Sequence, residues 1–303
     1  MPVLLSGASG MIGNALRASF ARESIPTFRL VRSAATQAGE IHWNPEASSP
    51  EERFPEIPAS VPLDAAIHLS GANIAGHLWT PAYREQLRQS RVASTQALCE
   101  LLIRLPRPPR VLVCASAIGI YGDRGSDILD ETSPPGTGFL ADLCREWEAA
   151  AQPAESFGIR VLHLRFGVVL AAEGGMLAKL LPVFRLGAGG KLGSGQQWMS
   201  WVALPDVVRI IRFALEREDL RGAINVVTPH PVTNLEFTRA MGRVLHRPAF
   251  FAVPAAALRL IFGEMANSTM LASTRVLPRR ILEAGFRLEH EELEPALRSL
   301  LRK

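Results

Sequence analysis

The chain has 303 residues, 48% of them hydrophobic and 20% charged, the balance of an ordinary globular protein of one large or two closely packed domains. The formal net charge is only +4, and the basic residues, all but three of the 33 being arginine, are scattered rather than gathered in a stripe, which argues against nucleic acid as a partner. No apolar run approaches membrane-spanning length, and with a strand signal at the first residues no signal peptide is expected ahead of the fold; the three isolated cysteines, Cys99, Cys114 and Cys144, suggest neither a disulfide frame nor a zinc site, and a cytoplasmic protein with no metal and no membrane partner is expected.

Val3-Leu4-Leu5 is short, apolar and extended in character. After it Gly7, Gly10 and Gly13 recur at intervals of three, and Ile12, Leu16 and Phe20 then fall on one helical stripe. Strand, glycine turn and helix form the context of a dinucleotide fingerprint. Gly7 permits the tight turn, Gly10 leaves the backbone bare for a pyrophosphate, and Gly13 lets the helix pack close on the strand. Ser9, Gly10, Met11 and Ile12 surround the helix N-terminus, whose N–H groups and partial positive charge favour a phosphate.

The second strand, Thr27 to Val31, ends at Arg32, and no carboxylate lies between Ser24 and Ala38. An NAD-specific fold would place Asp or Glu here, against the ribose hydroxyls. Arg32 is therefore the candidate for the 2′-phosphate of NADP(H), the alternative being a solvated arginine at a strand end. Residues 44–63, rich in Pro, Glu and Ser, read as a surface excursion. Asp64 to Ala72 reads as a strand running into a small-residue turn, with His68 a packed core histidine. Thr80-Pro81 opens a helix that restarts at Ser90 and stops before Pro106. Strand 111–116 leads through 117–122 into a polar loop, 123–138, then helix 139–151 and strand 160–165. With Gly222 to Val227 these are six strand signals alternating mostly with helices, the pattern of an α/β fold with a doubly wound parallel Rossmann sheet.

After Leu170 the character changes. A helix over 176–186 runs into a glycine-rich stretch, 187–195, which reads as a substrate loop whose Lys191 reaches an anion, or equally as a plain hairpin. Thr233 and Glu236 form a capping box, and the rest is short helices broken by prolines. The expected division is a Rossmann domain, 1–227, with a substrate-loop insertion at about 171–199, and a smaller, mainly helical closing lobe, 228–303.

Four stretches together resemble an extended short-chain dehydrogenase/reductase: Gly7 to Gly13, Asp64 to Gly71, Ser116 to Gly122 and Ser200 to Asp206. More narrowly, Trp79-Thr80, Ser90-Arg91, Trp147-Glu148, Arg165 to Leu170 and Phe184 to Gln196 resemble the atypical branch known as epimerase family proteins. The tail around Val276 to Arg280 resembles that branch's C-terminal domain of unknown function. The resemblance implies NADP(H) as cofactor. It also implies Leu69, Ser70 and Gly71 on the adenosine side, with Arg91, Phe166, Gly167 and Val168 nearer the rest of the cofactor.

The chain departs from the superfamily in its chemistry. Ordinary members carry Tyr-x-x-x-Lys, the lysine lowering the tyrosine pKa so that a phenolate can exchange a proton with substrate. The two tyrosines here, Tyr83 and Tyr121, have Leu87 and Gly125 four residues on, and no lysine precedes Lys179. Ser116 and Tyr121 remain the catalytic candidates, with Asp123, Asp142 and Cys144 as substitute donors. Tyr121, on a loop without a cation beside it, is expected to keep a pKa near the ordinary value of about 10. Two functions are open. One is an NADP(H)-dependent oxidoreductase or epimerase acting on an unknown polar, perhaps nucleotide-linked small molecule. The other is a catalytically silent NADP(H) sensor or partner-binding protein. Helices 80–104 and 139–151 could form the four-helix seam of a homodimer, by analogy with related folds.

Overall fold

Strands β1 (Val3–Ser6), β2 (Thr27–Val31), β3 (Glu40–His42), β4 (Ala65–His68), β5 (Val111–Ala117), β6 (Arg160–Phe166) and β7 (Gly222–Val226) form one parallel sheet. Their spatial order is β3-β2-β1-β4-β5-β6-β7. The order reverses between β1 and β4, which opens a crevice at their carboxyl ends, where doubly wound folds hold ligands. The computed structural model describes residues 1–47, 49–55, 57 and 62–302.

The helices that matter below are α1 (Met11–Arg22), α2 (Pro81–Gln89), α3 (Val92–Ile103), α4 (Phe139–Ala149), α5 (Gly175–Arg185), α6 (Leu204–Glu216), α7 (Asn234–Leu245), α8 (Ala255–Phe262) and α9 (Leu293–Leu301). The sheet is buried on both faces. Leu5, Val113 and Leu164 pack under Leu16 and Phe20 of α1 and Ile210 and Ile211 of α6. Leu4, Leu112 and Val161 face the other way, onto Leu98 and Leu102 of α3. Double burial is why these strands read as apolar runs rather than as alternating ones. A third core joins Leu177, Leu181 and Phe184 of α5 to Phe237 and Met241 of α7 and Leu293 and Leu297 of α9.

The chain returns to the sheet near its end. Residues 273–277 lie between the loop after β5 and residues 198–200: Arg124 N–H donates to Ser273 O (2.9 Å), Thr274 N–H to Trp198 O (3.1 Å) and Leu277 N–H to Leu129 O (2.8 Å). Asp206, buried in the first turn of α6, accepts from the N–H groups of Glu289 and His290 (both 2.9 Å).

The structure differs from the sequence reading at three places. β3 is an extra edge strand of three residues, too short to leave a periodic signal. The stretch 44–63 is less superficial than its composition suggests, since Ile57 and Leu63, with Trp43 just before it, are buried; residues 48, 56 and 58–61 lie outside the described ones. The glycine-rich stretch is not a hairpin: residues 190–192 pair in parallel with 251–253, and Lys191 donates to Ser194 O of its own loop (3.1 Å). The outer faces of α2, α3 and α4 are laced with ion pairs, Arg88–Glu146, Arg53–Glu100 and Arg145–Asp142. Among the described residues no large, exposed apolar side chain lies on these helices, so a dimer seam there would be polar.

Candidate functional site

The dinucleotide turn is built as its glycines require. Gly7 has φ +72°, and a Cβ there would stand 2.5 Å from the Leu69 carbonyl carbon. A Cβ at Gly13 would stand 2.2 Å from Gly7 O. Both positions are closed by backbone. Gly10 is different: it is extended (φ −72°, ψ 169°), and its Cβ would meet only Gly7 O, at 3.4 Å. The space it leaves open is the one a pyrophosphate needs, directly before the first turn of α1, which holds no acidic residue.

Ser9 O accepts from Asn14 Nδ2 (3.0 Å), which fixes the turn, and Ile12 packs inward beside the core. Met11 leans the other way, onto the loop before α5, where a Cβ at Gly174 would come within 2.7 Å of its sulfur. Leu69, Ser70 and Gly71 leave β4 against this turn, Leu69 N–H donating to Ser6 O (3.1 Å). Arg32 is exposed just past β2 on the same edge, with no hydrogen bond or ion pair among the described residues.

Arg91 lies under Gly71, whose Cβ would meet its guanidinium carbon at 3.3 Å. It donates to Ala72 O (2.9 Å) and Leu87 O (3.2 Å), and its guanidinium sits 5.1 Å from the Trp147 ring centroid. It therefore holds the turn after β4 in place, and burial lowers its pKa from the usual arginine value. His68 is fully buried, its two ring nitrogens held by Ser6 and Ser94. Burial pushes its pKa down to about 4, so the ring is neutral at pH 7 and is a core histidine. Phe166, Gly167 and Val168 leave the carboxyl end of β6, Val168 pairing with Trp201. A Cβ at Gly167 would strike Ser200 O at 2.6 Å.

The cofactor candidates thus line the carboxyl edge of the sheet. Ser116 lies at the same edge, one residue before the end of β5, but the polar atoms of Ser116 and Tyr121 are turned into a buried network. Ser116, Arg165 and Asn225 are register neighbours across β5, β6 and β7. The Ser116 hydroxyl, buried, donates to Glu148 Oε1 on α4 (2.7 Å). Arg165 grips the same carboxylate with Nε and Nη2, both at 2.8 Å, and Nη1 donates to the Tyr121 hydroxyl (3.0 Å). Tyr121 donates in turn to Asn225 Oδ1 (2.8 Å), and Asn225 Nδ2 to Leu277 O in the returning tail (3.0 Å).

This corrects the expectation for Tyr121. It lies on a one-turn 3-10 helix, fully buried, with a cation 5.3 Å from its ring centroid. Burial raises its pKa further than the Arg165 charge lowers it, so phenolate is scarcer still. The hydroxyl bridges two polar groups that burial would otherwise orphan. Tyr121→Phe is expected to cost about 1–3 kcal/mol of stability and to leave NADPH affinity unchanged, as read by urea denaturation beside calorimetry.

The substitute donors are also engaged. Asp123 Oδ1 accepts from Gly125 and Ser273 N–H (both 3.2 Å). Asp142 pairs with Arg145 on the outside of α4. Cys144 is buried, its pKa pushed up to about 12 by that burial, and it packs with Leu140 against Gly119. Sequence reasoning gave no polar role to Glu148, named only within the Trp147-Glu148 resemblance, and passed over Asn225. Their one visible signal was Arg165, a charge in an otherwise apolar strand, which needs a partner.

A glycine turn on a helix N-terminus at the switch point of a parallel sheet defines a dinucleotide-binding α/β protein. The chain belongs to the NAD dependent epimerase/dehydratase family, which it matches over residues 3–227; residues 253–300 match a domain of unknown function (DUF1731). An epimerase family protein of Mycobacterium bovis is 40% identical over 97% of this chain and 96% of its own. The chloroplastic SDR39U1 homologue of Arabidopsis thaliana is 35% identical over 99% of this chain and 87% of its own. The crystal structure of human epimerase family protein SDR39U1 with NADPH superposes with a TM-score of 0.91, at 32% identity and covering 99% of each chain. A Thermotoga maritima UDP-glucose 4-epimerase shares the fold, with a TM-score of 0.76 at 17% identity over the full length of both chains.

Proposed function

We propose that the chain binds NADP(H) at the Gly7–Gly13 turn and exchanges hydride between the nicotinamide and a polar, nucleotide-linked substrate. Residues 1–227 serve as the binding domain, and 228–303, with the stretch 171–199, as the lobe that closes over it. The observation carrying this reading is the open space at Gly10 between two glycines closed by backbone. Human SDR39U1, similar over the whole chain, carries NADPH in its crystal structure. The cofactor supplies the hydride chemistry. The protein's part is to seat the phosphates on α1, to hold the adenosine end between Arg32 and Leu69–Gly71, and to fix the β4 exit through Arg91.

Arg32 is the selectivity residue of this reading. In calorimetry NADPH is expected to bind more tightly than NADH, and Arg32→Ala to narrow the gap by about 1–3 kcal/mol, the scale of a charge-assisted contact. Equal affinities for the two cofactors in the unaltered protein reject the assignment.

A second reading, a silent NADP(H) sensor or partner-binding protein, is favoured by one observation: Ser116, Tyr121, Asp123, Asp142 and Cys144 are all engaged elsewhere or buried. General acid–base help is worth roughly 10²–10⁴-fold. Both readings therefore expect interconversion of UDP-glucose and UDP-galactose to be slow or undetectable, and any residual rate to survive Tyr121→Phe. Fast interconversion that vanishes in that variant defeats the assignment of Tyr121. Between the two readings, NADPH oxidation stimulated by a polar acceptor selects the first.

A further inference from the structure

Far along the chain from the dinucleotide turn, the last turn of α7 and the face of α9 enclose a shallow cavity of about 650 Å³. Arg239 and Arg243 stand one helical turn apart on α7. His246 then turns left-handed (φ 52°) and sends the chain back over the helix, which brings Arg247 and Phe250 to the same opening. Gly242 is the floor: a Cβ there would already stand 3.0 Å from Ala249 Cβ and from Arg247 O. Arg298 enters from α9.

One carboxylate, Glu294, accepts from Arg243 Nε and Arg298 Nη2, both at 2.7 Å. Arg247 is fixed by its Nε donating to Arg185 O (3.0 Å), which leaves the end of its guanidinium free of that bond. Arg239 makes no hydrogen bond or ion pair among the described residues. Four guanidiniums against one carboxylate leave three positive charges. At the rim Phe250 is 76% exposed, stacked on Phe251 with ring centroids 4.8 Å apart.

We propose that this cavity is a second anion site that takes a nucleoside diphosphate, with the phosphates on the arginines and the base on Phe250. Planar guanidiniums bind phosphate oxygens bidentately, and a diphosphate carries about the charge that is left over. An exposed ring offers any base a stacking face. The site stands apart from the NADP(H) reading, since it shares no residue with the dinucleotide turn.

ADP is the probe, with calorimetry counting sites. The unaltered chain is expected to bind two ADP, Gly10→Val to keep one, the pair Arg239→Ala with Arg247→Ala to keep the other, and all three substitutions together to keep none. At the second site inorganic pyrophosphate should bind about tenfold more weakly than ADP, and Phe250→Ala should bring ADP down to that level. The Arg239, Arg247 and Phe250 side chains are exposed, so those variants are expected to melt close to the unaltered protein. A count that does not fall in the double arginine variant overturns the proposal, as does a single-stranded hexanucleotide that binds there far more tightly than ADP. Should the dinucleotide reading be the one at fault, Gly10→Val would leave the count unchanged while the arginine pair still removed one site.

Discussion

Gly10→Val is expected to give a folded protein with no measurable affinity for NADPH, and Gly13→Ala a protein that scarcely folds. The two glycines lie three residues apart and would be treated alike by sequence alone. Their surroundings differ. A side chain at Gly10 meets one carbonyl oxygen at ordinary contact distance and otherwise points into the space before α1. The backbone there is extended, which valine accepts, so the folding cost should stay near 1 kcal/mol, that of a poorer helix cap. In that same space valine's methyl groups would displace a pyrophosphate, with a loss of roughly 100-fold or more in affinity, about 2.7 kcal/mol. At Gly13 the added carbon would lie 2.2 Å from Gly7 O and 2.9 Å from Ala8 Cα. Neither atom can rotate away, so α1 must lift from β1, at the upper end of overpacking costs, about 3 kcal/mol or more. Thermal melts and NADPH calorimetry on both variants separate the roles. A folded Gly10→Val that keeps full affinity would remove the basis for the fingerprint.

That half of the site was legible because its causes are local. The reasons for Gly7, Gly10 and Gly13 lie within one strand, one turn and one helix, and so does the missing carboxylate near Arg32. The fold was legible for a related reason, since strands buried on both faces stand out as apolar runs between amphipathic helices. Glu40–His42 did not stand out because three residues carry no period, and Ile57 and Leu63 were hidden by their polar neighbours. The chemical half was not legible. Whether Ser116 is a donor toward a substrate or toward Glu148 depends on residues 148, 165 and 225 meeting across three strands and a helix. That meeting is a consequence of parallel register. Tyr121 shows the same limit: a loop residue by its neighbours, it becomes a core residue because the returning tail packs Val276 into its cluster.

The second large effect is expected at Arg165. Its ion pair with Glu148 is mostly buried, the two side chains being 10% and 14% exposed. Burial by itself would raise the Glu148 pKa. The Arg165 hydrogen bonds and charge, with the Ser116 hydroxyl, outweigh burial and hold it below the usual glutamate value. Burial would likewise lower Arg165, and Glu148 instead raises it. Arg165→Met removes the cation and leaves the carboxylate buried against one hydroxyl, a change worth about 3–5 kcal/mol at pH 7. The sign of the pH dependence identifies the cause. In the unaltered protein Glu148 titrates lower folded than unfolded, so its contribution is complete above the unfolded pKa and is lost as pH falls through the folded one. In Arg165→Met only the Ser116 hydroxyl and the nearby His163 still oppose burial, the largest of the effects on Glu148, so Glu148 is expected to titrate higher folded than unfolded. Its penalty is complete at neutral pH and fades as pH falls toward the unfolded value. Urea denaturation from pH 7 to pH 4.5 should therefore show the gap between the two proteins shrinking with acid. Adding Glu148→Leu to Arg165→Met should recover part of the loss at pH 7, because no charge is then left buried. A gap that stays constant with pH would mean that Arg165 acts by packing over Tyr121 alone, and that the Ser116–Glu148 pair holds without it.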